Sequence, residues 1–194
     1  MIRNLVCVVI LPLLLGAHVW AADIEGVRVE ERITLDGGHA LALNGAGVRH
    51  KLMFVKLYVG ALYLAQKESR ADEILKDAGP KRIAMFVLAD EIPARDLIAS
   101  MNNSLSVNLS MGDLALIESR LAQLNQMMLK VGLLRKGGVV TLTYAPATGT
   151  HIRVNGEEML VVKGADFFSA LLHIWIGEKP VDGRLKAAML KGGM

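Results

Sequence analysis

Leu52-Met53-Phe54-Val55-Lys56-Leu57-Tyr58-Val59-Gly60-Ala61-Leu62-Tyr63-Leu64-Ala65 reads as one long strand with two unlike faces. Side chains alternate across a strand. Met53, Val55, Leu57, Val59, Ala61 and Tyr63 therefore share a face that is almost wholly apolar. Phe54, Lys56, Tyr58, Gly60, Leu62 and Leu64 share the other, where polar tips interrupt an apolar surface. The first is a core face. The second is a core face that also serves something else.

Upstream of this strand, Val27 to Leu35 alternates weakly and predicts an edge strand, and Asp36-Gly37-Gly38 is a hairpin turn signal. His39 to Asn44 returns, and Gly45-Ala46-Gly47 predicts a flexible corner. Downstream, Ser69 to Ala78 predicts a short helix and Lys81 to Leu88 a buried strand. Pro93 opens a helix to about Leu109 with an apolar stripe of Leu97, Ile98, Met101 and Leu105. Arg95 and Asn102 flank that stripe. Asp113 caps a second helix carrying Leu114, Ile117, Leu121, Leu124 and Met128. Val139 to Tyr144, Thr150 to Val154 and Met159 to Val162 predict short strands. Asp166 starts a last buried helix with Phe168, Leu171, Leu172 and Trp175. No repeat or linker divides the chain. The economical architecture is α+β: a large, mostly antiparallel sheet with helices layered on one face.

The first residues have another purpose. Met1-Ile2-Arg3-Asn4 is a short basic start, Leu5 to Leu15 an apolar core broken only by Pro12, and Val19-Trp20-Ala21 a signal-peptidase site. A membrane anchor needs about 20 apolar residues, more than this run supplies. The pattern predicts a signal peptide over 1–21, cut after Ala21 or, as the second choice, Ala22. It leaves one domain over 22–194, periplasmic or otherwise exported, with no transmembrane segment. The only cysteine, Cys7, leaves with the signal, which excludes disulfides and thiolate chemistry from the mature chain. The formal net charge of +3 is spread along the sequence, without a basic block that would suggest nucleic acid.

Catalytic signatures are lacking. His39, His50, His151 and His173 stand apart, with no partner at metal-ligand spacing, so neither a metal nor a cofactor is expected. There is no Gly-x-Ser-x-Gly elbow, and Gly45-Ala46-Gly47 is only a fragment of a dinucleotide fingerprint.

Two motifs go further. Leu43-Asn44-Gly45-Ala46-Gly47-Val48-Arg49 with Phe54-Val55-Lys56-Leu57-Tyr58 resembles the opening signature of the chalcone isomerase family. Ile176-Gly177-Glu178, followed by Pro180-Val181 and Leu185-Lys186, resembles its closing motif. The resemblance spans roughly residues 26–190 and implies an open-faced β-sandwich. That family holds enzymes that close a chalcone to a flavanone, and relatives without that activity, including fatty-acid-binding proteins.

The resemblance also assigns positions. The family's arginine falls on Arg49, which in the enzymes polarises the enone carbonyl and in the fatty-acid binders holds the ligand carboxylate. Tyr58 stands where the enzymes have threonine and the fatty-acid binders tyrosine. On the Pro93 helix the enzymes' tyrosine, lysine and asparagine match Arg95, Ile98 and Asn102, and a second threonine matches Ile174. The segment between Arg49 and Phe54 is shorter than in the plant enzymes. Lysine and both threonines are thus gone, and aliphatic wall replaces groups that would orient a polyphenol. Arg95 and Asn102 also fit capping or surface pairing, Tyr58 a plain core role, and Lys56 a snorkelling one.

The leading expectation is a non-catalytic, exported binder of a small amphiphilic ligand, a fatty acid or similar carboxylate, at Arg49, Tyr58, Asn102, Arg95, Ile98 and Ile174. The alternatives are an isomerase or lyase using Arg49 as electrophile, and an envelope interaction protein without a ligand. Trp175 is expected in the core just behind the pocket wall. N-terminal sequencing of protein from a periplasmic extract should begin at Ala22. Intact Met1 in the membrane fraction would make residues 1–20 an anchor.

Overall fold

The computed structural model describes residues 21–52 and 54–193, so the signal-peptide reading of residues 1–20 falls outside it. Strands β1 (Ala21–Ile24) and β2 (Val27–Glu30) form a separate ribbon. β3 (Arg32–Thr34), β4 (Ala40–Lys51) and β5 (Val55–Leu64) follow, then helix α1 (Ala71–Lys76) and β6 (Lys81–Val87). An excursion comes next: β7 (Glu91–Pro93), α2 (Ala94–Asn108), α3 (Met111–Val131) and β8 (Leu133–Arg135). The chain returns through β9 (Val139–Ala145), β10 (Gly149–Val154) and β11 (Glu157–Val162), and closes with α4 (Ala165–Ile176), α5 (Gly183–Met189) and a 3₁₀ turn.

Seven strands make one antiparallel sheet in the order β11-β10-β9-β6-β5-β4-β3. Strands consecutive in the chain are neighbours throughout, apart from the α2–α3 excursion between β6 and β9. Tyr58, Leu62 and Leu64 of β5 face the helices and join the main core with Leu105, Phe168 and Leu171. Val59, Ala61 and Tyr63 face the other way, into a smaller core closed by Val29 of β2. Tyr63 fastens that cover by donating its hydroxyl to the Glu30 carbonyl at 2.9 Å. This is the α+β architecture expected, one large antiparallel sheet with helices on one face. The two faces of β5 are unlike because each is buried against a different layer.

Several local expectations need correcting. Val27 to Leu35 is not one edge strand: it breaks at Glu31, and only β3 joins the main sheet. β5 begins at Val55, because Leu52 and Phe54 belong to the turn that joins it to β4. The cap of α3 is Ser110, whose Oγ accepts from the Asp113 amide at 3.1 Å while donating to the Asp113 carboxylate at 2.6 Å. The helix begun near Asp166 is not the last, since α5 follows it.

Gly45-Ala46-Gly47 is no corner. It lies inside β4, with Gly47 opposite Gly60 and Gly45 opposite Leu62. The reason is close approach. A Cβ on Gly45 would lie 2.1 Å from the Ala188 carbonyl oxygen, one on Gly47 2.6 Å from the Ala188 methyl, and one on Gly60 2.8 Å from Met189 Cε. α5 therefore rests on bare backbone. Gly45→Ala should force it away, costing about 1–3 kcal/mol, the range for overpacking. Gly183→Ala, whose Cβ meets nothing within 4 Å, should be neutral or slightly stabilising. Urea unfolding midpoints of the two variants against the parent check this contrast.

Candidate functional site

The helix face of β4 reads Gly45, Gly47, Arg49, and the register sets Arg49 directly opposite Tyr58. Where the glycine strip under α5 ends, two large polar side chains thus rise side by side. The Arg49 guanidinium carbon lies 5.5 Å from the centre of the Tyr58 ring, within cation–π range. Its Nη2 donates to Ser100 Oγ at 2.6 Å. Its Nε is buried and has no partner. Among the described residues no carboxylate pairs with it.

Tyr58 is 1% exposed. Its hydroxyl oxygen accepts from Trp175 Nε1 at 2.9 Å, which leaves its own proton free to donate. Burial pushes the phenol above its ordinary range, although Arg49 and the Trp175 indole pull the other way. Arg49 and Tyr58 together present two buried donors that lack an acceptor.

Both line a cavity of about 80 Å³ between sheet and helices. Met85 of β6, Val140 and Leu142 of β9 and Ile152 of β10 line it from the sheet; Ala94, Leu97, Ser100 and Met101 of α2, Leu124, Met127 and Met128 of α3, and Ile174 and Trp175 of α4 line it from the helices. Among the described residues, the lining contains no carboxylate, lysine or histidine. The wall shares Val131, Leu134 and Val154 with a surface groove of about 630 Å³ beside the β8–β9 and β10–β11 turns.

Of the residues singled out from the sequence, the structure brings Arg49, Tyr58 and Ile174 to this cavity. Arg95, Ile98 and Asn102 do not line it: Arg95 is exposed, the other two half-buried. The buried side of α2 runs through Ala94, Leu97, Met101, Ser104 and Leu105. At about 100° per residue, that turns Arg95, Ile98 and Asn102 away. Ser100 was missed, although one helical turn beyond Leu97 it is the side chain brought to Arg49. Trp175 lines the cavity instead of standing behind it, because the indole is long enough to reach Tyr58 from the next position of α4. The methionines carried no signal of their own; they are core residues until strands and helices are assembled.

The two motifs at either end of the chain meet here. Asp182 caps α5 by accepting from the Arg184 and Leu185 amides, and its second oxygen accepts from the His50 amide at 2.9 Å. Burial works against its charge, but these amides together hold the carboxyl below its usual range. Asn44 donates to the Met189 and Glu68 carbonyls, each at 2.8 Å. On the other side of the turn that precedes α5, Asn108 donates to the Lys179 carbonyl and accepts from its amide, both at 2.8 Å.

The chain belongs to the chalcone isomerase-like family, whose model matches residues 21–191. Its fold is similar to the crystal structure of an Arabidopsis thaliana fatty-acid binding protein, with a TM-score of 0.61 and 15% sequence identity. The match covers 83% of this chain and 96% of that one. At that identity the likeness establishes the fold alone. No curated protein matches the sequence.

Tyr58→Phe should cost about 1–3 kcal/mol by leaving the Trp175 indole N–H buried without an acceptor. It should also soften alkaline unfolding. A phenol whose value is raised on folding stabilises fully below its unfolded value near 10, and that stability is lost as pH rises through the folded value. Tyr63, pushed up to about 12 chiefly by burial, has the same sign. Denaturant midpoints measured from neutral to strongly alkaline pH should fall less steeply in Tyr58→Phe and in Tyr63→Phe than in the parent.

Proposed function

We propose that this is an exported, non-catalytic binding protein for a fatty acid or similar amphiphilic carboxylate. The observation that carries the reading is the buried, partnerless Nε of Arg49 beside the Tyr58 hydroxyl, whose proton is free to donate, in an otherwise apolar cavity. A guanidinium drawn out of water loses hydration, and an anion arriving beside it restores the loss. Neutral polar ligands restore less. The aliphatic wall supplies affinity at about 0.8 kcal/mol per methylene buried, less the ordering of the chain. The fatty-acid binding protein of similar fold supports the same ligand class. Export rests on the leader pattern of residues 1–21.

Size adds a condition. Ligand pockets commonly span about 300–1,000 Å³, well above the 80 Å³ here. A long tail needs the flexible methionines Met85, Met101, Met127 and Met128 to swing aside. It also needs an outlet, and the wall of Val131, Leu134 and Val154 offers one into the neighbouring groove.

Titration of protein stripped of lipid, read by Trp175 emission and by calorimetry, tests this. Arg49→Ala should weaken a long-chain acid by about 1.5–3 kcal/mol, the range for hydrogen bonds to charged groups. Tyr58→Phe should weaken it less, and the double variant should be non-additive. Val154→Trp should narrow the outlet and weaken long acids more than short ones. Equal affinity for an acid and its methyl ester would sink the proposal. Chalcone should not cyclise above its spontaneous rate; acceleration lost in Arg49→Ala would turn the site into an enzyme's.

A further inference from the structure

β4 ends at Lys51 and β5 begins at Val55, and the sequence across this hairpin reads Lys51-Leu52-Met53-Phe54-Val55-Lys56. Leu52 is 81% exposed, Phe54 84% and Val55 50%. Three large apolar side chains this exposed fall within four consecutive positions, whereas other strongly exposed ones, Met111, Leu116 and Leu129, are spread along α3. Leu52 adopts a φ of 52°, the left-handed region that glycine or asparagine occupies more easily. A residue that both resists its backbone conformation and wastes its apolar surface in water has its use elsewhere.

Charge says where. Lys51 and Lys56 bracket the apolar tip, both partly exposed, and Arg95 lies exposed on the first turn of α2. Lys51 Nζ stands 3.6 Å from Asp96 on that same turn, and Lys56 Nζ 2.8 Å from Glu25. Pairs this exposed contribute little and hold neither lysine firmly. An apolar tip flanked by two loosely held lysines is complementary to an anionic phospholipid surface, where side chains enter the acyl boundary and lysines stay among the headgroups. A second copy of the chain fits worse. A stable interface buries about 800 Å² on each partner, far more than one hairpin tip presents, whereas a bilayer closes around even a few side chains.

We propose that the β4–β5 hairpin tip is a docking finger for anionic phospholipid bilayers. It stands independently of what the cavity holds, though the two are close along the chain: Arg49 lies two residues before Lys51, and the Lys51–Asp96 contact sets the finger against the helix whose Ala94 and Leu97 line the cavity.

Flotation of the purified protein, as recovered from cells, with phosphatidylcholine vesicles containing or lacking phosphatidylglycerol tests the proposal. Binding should need phosphatidylglycerol and fall as salt rises. The double variant Leu52→Ser, Phe54→Ser should weaken it by about tenfold or more, since the inserted apolar area is lost. Lys51→Glu with Lys56→Glu should abolish the preference for anionic vesicles. Phe54→Trp should retain binding and shift its emission to the blue when vesicles are added. All these substitutions lie at exposed positions of the turn or of the strand ends beside it, and circular dichroism confirms the fold of each. Absence of vesicle binding would overturn the proposal. So would binding that survives the serine variant, or tip-dependent self-association on a sizing column in place of vesicle binding.

Discussion

The packing of α5 on bare backbone is the constraint from which the rest of this structure follows. Gly45, Gly47 and Gly60 present no side chains to the helix, so Ala188 and Met189 come closer than any Cβ would allow. Burial of Leu185 and Met189 holds the helix there, and Asn44 and Asp182 lock its two ends with hydrogen bonds to buried or half-buried groups. A buried polar group left unmatched would cost about 1–3 kcal/mol, so these locks also fix the register. The opening and closing motifs lie more than a hundred positions apart in sequence. In the folded chain they are the two halves of one joint.

The joint also decides where polarity can appear on the helix face of the sheet. At Gly45, Gly47 and Gly60 there is room only for hydrogen atoms, and the next cross-strand pair on that face beyond Gly47 and Gly60 is Arg49 and Tyr58. The other sheet residues that line the cavity are aliphatic or methionine. The result is an apolar cavity with one cationic end. At an effective dielectric of about 20, a unit charge 4 Å away contributes about 4 kcal/mol, a gain no methyl ester could share. Ser100 meets one Arg49 nitrogen but adds no charge. The Trp175–Tyr58 hydrogen bond ties α4 to β5 and turns the phenol's lone pair inward, so that its proton is the part left to offer.

Much of this was legible in the sequence because it rests on periodicity. From Tyr58 to Leu64 the two-faced β5 alternates as written, whereas Val55 is exposed and Leu57 packs against the main core; Arg49 and Tyr58 came through the family resemblance, which their cross-strand register explains. The misread parts share one cause: they depend on what packs against an element, which periodicity does not carry. Gly45 and Gly47 look like a flexible corner because glycine permits turns, yet here its smallness matters and its φ freedom does not. The α2 stripe looked centred near Ile98 because Ala94 and Ser104 count as weak hydrophobes; both are buried, and including them rotates the face and removes Arg95, Ile98 and Asn102 from the cavity. The ribbon of β7 and β8 is three residues on each side, too short for any alternation to show.

The opposite face of the sheet bears on where the proposed export cut would fall. Val59, Ala61, Tyr63 and Ala84 form an apolar surface that water would otherwise reach, and the β1–β2 ribbon covers it with Ile24, Val27 and Val29. Ala21 pairs with Glu30 at the outer end of that ribbon, and Ala22 pairs with Val29. Cleavage after Ala21 removes one terminal pair and keeps the residue opposite fully buried Val29. Cleavage one residue later would take that partner too, leaving only Asp23 and Ile24 to hold the strand. On the proposed export route, the first choice of site is therefore the one that keeps more of the cover of the smaller core. It also leaves a free amine beside the ribbon's end, where a charge stays in water at little cost.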